Sequence, residues 1–189
     1  EMALGRVLLA LHDADTGELG PVLAAAHDVS NGGLVQALAD MAVRAGVGAS
    51  VDLTDLASRE GIDSFTALFS ESQARAVLAV PEGCLDLVLR AAEAEGVAAV
   101  RLGTTGGELL AIQLAAELWP PDGAGADADA TEAADLPAES SAAAAGSLAA
   151  ASAAGSEAAD LAGSSEDMLV FDVAELAAAS DAVLRSLFD

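Results

Sequence analysis

The stretch Ala24-Ala25-Ala26-His27-Asp28-Val29-Ser30-Asn31-Gly32-Gly33-Leu34 decides how the rest of the chain is read. A short apolar run ends at His27 and Asp28. Polar and glycine residues crowd the next five positions, and an amphipathic pattern starts at Leu34. This is the pattern of a buried strand, a tight turn and the start of a helix. Backbone N–H groups are unpaired at a helix start and the macrodipole is positive there, so the junction suits an anion. Gly32 and Gly33 let a ligand approach the main chain closely. The plain alternative is a helix cap by Ser30 or Asn31, with the glycines serving only the turn.

Working outward, apolar positions Leu34, Ala37, Leu38, Met41 and Ala42 recur at three and four. They predict a helix over 34–44, ended by Gly46. Upstream, Leu4, Val7, Leu8 and Leu11 predict a helix over 2–12, and 22–29 reads as the strand before the turn. Downstream, Val47, Ala49, Val51 and Leu53 alternate as a half-buried strand. Thr54 and Asp55 start a short helix that Gly61 ends, and 64–68 forms another turn. Ser70-Glu71-Ser72-Gln73 feeds a strand running to Val80. Pro81 and Glu82 then open a helix with Leu85, Val88, Leu89 and Ala92 inward, ended by Gly96. Residues 98–102 and 109–114 read as two strands around Gly103-Thr104-Thr105-Gly106-Gly107, a hairpin turn. Alternating helix and strand over 1–119 predicts an α/β (α+β) layered domain with a mixed β-sheet packed by helices.

The composition changes at Pro120-Pro121. Residues 120–166 hold 19 alanines, nine acids and no basic residue, interrupted by three prolines and five glycines. Such a segment buries too little surface to offset its ordering entropy. It is expected to be a disordered acidic linker or insertion, with transient helix around 141–154 on alanine propensity. Order is expected again over 167–189. There, an apolar run from Met168 to Phe171 leads into a helix with Val173, Leu176, Ala177, Val183, Leu184 and Leu187 on one face, docking back on the domain.

The whole chain has 189 residues, 53% hydrophobic and 3% aromatic, enough for one core. No apolar run approaches the ~20 residues that span a bilayer. The first residues make a poor signal peptide, and the start at Glu1 reads as a fragment or processed form. With only Cys84, a disulfide framework is excluded, and Cys84 reads as a small core residue. A cytoplasmic location is the simplest expectation. Seven arginines, no lysine and 31 acids give a net charge of -24, which disfavours nucleic acid and anionic membrane as partners. An acid-rich, lysine-free chain suits a high-salt cytoplasm, although a GC-rich genome yields similar composition.

The second polar cluster, Ser70-Glu71-Ser72-Gln73 with Arg75 after it, is harder to assign to solvent decoration. Glu71 and Gln73 point to the same side of an extended chain. Glu71 suits ligand hydroxyls or water-mediated Mg²⁺, and Gln73 both donates and accepts. The plain alternative is a hydrogen-bonded turn with a Glu71–Arg75 pair. His27 beside Asp28 invites an acid–base role, yet neighbours in a strand face opposite ways, so His27 is read as supporting structure. No catalytic triad, metal cluster or thiol nucleophile is legible.

Ala26-His27-Asp28-Val29-Ser30-Asn31-Gly32-Gly33-Leu34, followed by Leu68-Phe69-Ser70-Glu71-Ser72-Gln73-Ala74-Arg75, resembles the C-terminal part of the phosphoribosylformylglycinamidine synthase family, the synthetase subunit. The closing Phe171-Asp172-Val173 and Leu184-Arg185-Ser186-Leu187-Phe188 are similar to its end. The family commonly has Asp where Asn31 stands. The resemblance implies an AIR synthase C-terminal fold. It also implies ATP- and Mg²⁺-dependent conversion of formylglycinamide ribonucleotide to its amidine in purine biosynthesis. Ammonia would come from a glutaminase subunit, with a small accessory subunit and upstream synthetase domains as partners. The family's catalytic histidine and most nucleotide ligands lie upstream, so no catalytic residue is assigned here. Asp28, Ser30, Asn31, Gly32, Gly33, Glu71, Ser72 and Gln73 are expected to line a ligand site or pseudo-site, with no cofactor held tightly by this chain alone. The alternatives are a non-catalytic scaffold or another member of the same ATP-dependent superfamily.

The charge reading carries a test. A self-repelling body is relieved as the Debye length shrinks to ~3 Å at molar salt. The melting temperature is expected to rise steadily with KCl between ~0.1 M and ~2 M, and a flat or falling curve would contradict a high-salt origin.

Overall fold

The computed structural model describes residues 1–115, 147–153 and 168–188. Helix α1 (Met2–His12) buries Leu4, Val7 and Leu11, the face its spacing predicts. Strand β1 (Ala25–Asp28) is shorter than expected, and Val22 is buried outside it. Helix α2 (Gly33–Ala45) ends at Gly46, whose φ of 63° is the left-handed closure that glycine permits. Strand β2 (Ala49–Asp52) is followed by α3 (Thr54–Glu60) and α4 (Ser64–Phe69). Strand β3 (Arg75–Pro81) leads through a 3₁₀ turn into α5 (Leu85–Ala94). Strands β4 (Ala98–Thr105), β5 (Leu109–Gln113), β6 (Ser147–Ala153) and β7 (Met168–Asp172) and helix α6 (Val173–Phe188) complete the order.

The seven strands form one mixed sheet in the order β1-β3-β6-β4-β2-β5-β7. β3 shows how the sheet splits the core. Its alternate residues Ala76, Leu78 and Val80 pack with Val7, Leu11, Val88 and Ala92 of α1 and α5. Val77, on the opposite face, packs with Leu34 and Leu38 of α2, Val51 of β2, and Leu110 and Ile112 of β5. Helices therefore cover both faces, as an α/β layered domain requires. β7 lies antiparallel along β5, and Leu169, Phe171 and Leu176 pack against the α2 side of the core. Asp172 caps α6 by accepting from the Ala174 and Glu175 amides at 2.8 and 3.0 Å. Among the described residues, no helix is long and apolar enough to cross a membrane.

Two expectations are corrected. β4 and β5 do not form a hairpin, because β2 lies between them, antiparallel to β4 and parallel to β5. The turn at 106–108 instead wraps the start of β2. The Gly48 amide donates to the Gly107 carbonyl at 2.9 Å, and the Gly106 amide to the Gly48 carbonyl at 2.8 Å. The backbones meet closely here: a Cβ on Gly103 would lie 1.9 Å from the Ser50 carbonyl oxygen. The disordered linker expected over 120–166, and its transient helix around 141–154, are replaced at Ser147–Ala153 by a strand parallel to both β3 and β4. The disorder argument counts side-chain burial, whereas β6 gains backbone ladders on both edges. The remainder of 120–166 lies outside the described residues.

Two glycines in different settings test this packing. Gly103→Ala forces backbone apart across β2 and β4 and is expected to cost ~3 kcal/mol in urea unfolding. A Cβ on Gly5 in α1 meets nothing within 4 Å. Gly5→Ala should therefore be stabilising by ~0.5–1 kcal/mol through helix propensity. Equal effects would mean that β4 does not lie against β2 as described.

Candidate functional site

The two polar clusters meet at the start of α2. Gly33 takes φ of 71°, and a Cβ there would lie 2.5 Å from the Leu68 carbonyl oxygen and 2.7 Å from the Phe69 Cα. Only a residue without a side chain lets the first turn of α2 abut the last turn of α4. α4 is itself fixed by Asp63, whose carboxylate accepts from the Thr66 amide at 2.7 Å and its hydroxyl at 2.9 Å. Those bonds, the amide first, hold the Asp63 carboxyl below the usual Asp range.

With α4 held against α2, the chain leaving it at Ser70 carries Glu71 back to the same junction. The Gly32 amide donates to Glu71 Oε1 at 2.8 Å. The helix cap is thus Gly32, in the left-handed conformation at φ of 82°, and neither Ser30 nor Asn31 supplies a side-chain cap. The anion that suits this helix start is the protein's own carboxylate.

The expected Glu71–Arg75 pair is absent among the described residues. Arg75 is half-buried, and its Nη1 donates to the Ser70 carbonyl at 3.2 Å and to Ser72 Oγ at 3.1 Å. Burial pushes the guanidinium below the ordinary Arg range, opposed by the charge of Glu60. Ala74 between them sits at φ of 61°, a left-handed conformation that an alanine side chain strains.

A cleft of about 460 Å³ opens beside this junction. Asp28, Ser30, Asn31, Glu71, Gln73 and Arg75 line one side, and Leu4, Gly5 and Leu8 of α1 the other. Of the expected site residues, Gly32, Gly33 and Ser72 stand behind this lining, engaged in the contacts just described. α1 is the wall that sequence reasoning missed, since its glycine and leucines carry no chemical signal. His27 joins β1 to α2. Its Nδ1–H donates to the Asp28 carbonyl at 2.6 Å, and its Nε2 lies 3.6 Å from Asp40 Oδ2. Asp40 also accepts from Gln36 Nε2 at 2.9 Å.

Stability measurements separate the glycine contact from the carboxylate bond. Gly33→Ala meets both backbone and an unfavourable φ and is expected to cost ~3 kcal/mol or more. Glu71→Ala, which removes one exposed helix-start bond, is expected to cost ~1 kcal/mol. A larger loss for Glu71→Ala than for Gly33→Ala would invert this hierarchy. Ala74→Gly is expected to raise stability by up to ~1 kcal/mol by relieving the left-handed strain, and a loss would show that Ala74 is not strained.

Comparison with known proteins agrees with this arrangement. Residues 2–113 match the family described as AIR synthase related protein, C-terminal domain, which covers α1 through β5 and both clusters. Over 51 residues the chain is 44% identical to a phosphoribosylformylglycinamidine synthase subunit PurL from Nocardioides sp. (strain ATCC BAA-499 / JS614). That stretch is 27% of this chain and 7% of the relative, so the match spans a small part of the relative's length. The chain belongs to the AIR synthase related protein, C-terminal domain family.

Proposed function

We propose that this chain is the C-terminal portion of a phosphoribosylformylglycinamidine synthase. In this reading the complete enzyme converts formylglycinamide ribonucleotide to its amidine with ATP and glutamine-derived ammonia. The chain acts with upstream synthetase domains, a glutaminase subunit and a small accessory subunit. The observation that carries the reading is the meeting of the 28–33 and 70–75 clusters on one cleft through the Glu71 to Gly32 bond. The stretch shared with the PurL subunit supports it.

Within that enzyme the cleft serves as a closed pseudo-site. Mg²⁺ and ATP belong to the complete synthetase, and the residues here do not suit a metal. Among the described residues no three His, Cys, Asp or Glu side chains come together as ligands. Glu71 is committed to Gly32, and Arg75 to Ser70 and Ser72. What these residues do is hold β1, α2 and β3 in fixed relation, which gives the upstream domains a preset surface.

Calorimetry on the isolated chain tests this. Mg·ATP is expected to bind no more tightly than a Kd of ~1 mM. Micromolar binding would mean that the chain holds a complete nucleotide site. Purified with the upstream domains encoded beside it, the chain should support ammonia- and ATP-dependent amidine formation, and failure of that assembly would count against the synthase reading.

A further inference from the structure

Gln113 of β5 and Met168 of β7 face each other as a ladder pair. The chain between them therefore leaves and rejoins the domain at the tip of what is otherwise a β-hairpin. β6, the described strand of that excursion, lies far from the tip, between β3 and β4. β3 and β4 are joined through α5 and both run parallel to β6. Their registers against it coincide. Arg75 and Ala98 both face Ser147, and Val77 and Val100 both face Ala149. The two strands already have the direction and register needed to pair with each other.

The inserted segment, Ser147-Leu148-Ala149-Ala150-Ala151-Ser152-Ala153, has no β-branched or aromatic residue. Alanine is depleted in strands and is the best helix former. A cavity of about 220 Å³ straddles the same gap. Ala25, Val77 and Ala79 line it on the β3 side, Ala49 and Thr105 on the β4 side, and Met41 of α2 lies over it. A void between two apolar walls forfeits their dispersion contacts. Bringing β3 against β4 moves the two halves of the sheet together by about one strand spacing, ~4.8 Å, and closes that void.

We propose that β6 is an exchangeable strand. The sheet has a seven-stranded form with β6 inserted and a six-stranded form in which β3 pairs directly with β4. Expulsion gives up two ladders, forms one, closes the cavity and returns conformational freedom to seven residues. The domain then carries a conformational device at its centre. Whatever holds the 116–166 excursion away from the sheet favours the closed form.

A deletion tests this. Residues 116–166 are removed and Ala115 is joined to Asp167 through one glycine, which keeps the buried Leu114 and leaves a short hairpin loop. The variant is expected to melt cooperatively and to show nuclear Overhauser contacts between Val77 and Val100. An unfolded or molten variant would overturn the proposal, as would a folded one without those contacts. In the full chain, amides of 147–153 are expected to exchange at least ~10-fold faster than those of 76–80. Equal protection would show that β6 is an integral strand.

Discussion

The structure hangs on the contact between Gly33 and the backbone of Leu68 and Phe69. It places the first turn of α2 against the last turn of α4, and a Cβ at 2.5 Å from a carbonyl oxygen leaves no room for any other residue. From that contact the rest follows. The chain leaving α4 returns Glu71 to the Gly32 amide, β3 starts beside β1, and α1 closes the far wall of the cleft. A helix start is an anion site by default. Here the folded chain supplies its own anion, and the junction becomes structural.

This changes how the glycine pair is read. Before folding is considered, Gly32 and Gly33 suit ligand approach and turn geometry equally well. In the structure each has a separate duty. Gly32 is the left-handed cap whose amide meets Glu71, and Gly33 is the point of backbone contact. Asp28, Ser30, Asn31 and Gln73 keep their side chains on the cleft. A pseudo-site with these properties holds its shape without a ligand, which suits a domain that works as one piece of a larger synthetase.

Local pattern made much of the fold legible. Helical spacing from Leu34 to Ala42 and the left-handed Gly46 marked α2, and the same logic marked α3 and its Gly61 end. Strand partners were not legible. The apolar runs of β4 and β5 carry no record that β2 lies between them, and the alanines of β6 carry no strand signal. Val22 is fully buried outside any strand, because burial there comes from α1 and α5 rather than from a ladder. The site was legible as two clusters and not as one cleft. Glu71 and Gly32 are 39 residues apart, and a charge pair with Arg75 was the nearer inference. Arg75 turns away because its half-buried guanidinium finds the Ser70 carbonyl and Ser72 hydroxyl at hand.

The central claim is that the start of α2 is satisfied from within. The most direct measurement follows the Gly32 amide resonance in the ¹⁵N-labelled chain as inorganic phosphate is added. The account predicts a hydrogen-bonded amide that stays in place with phosphate and moves only when Glu71 is replaced. A Gly32 amide that shifts saturably with phosphate in the unaltered chain, and is indifferent to Glu71→Gln, would contradict it.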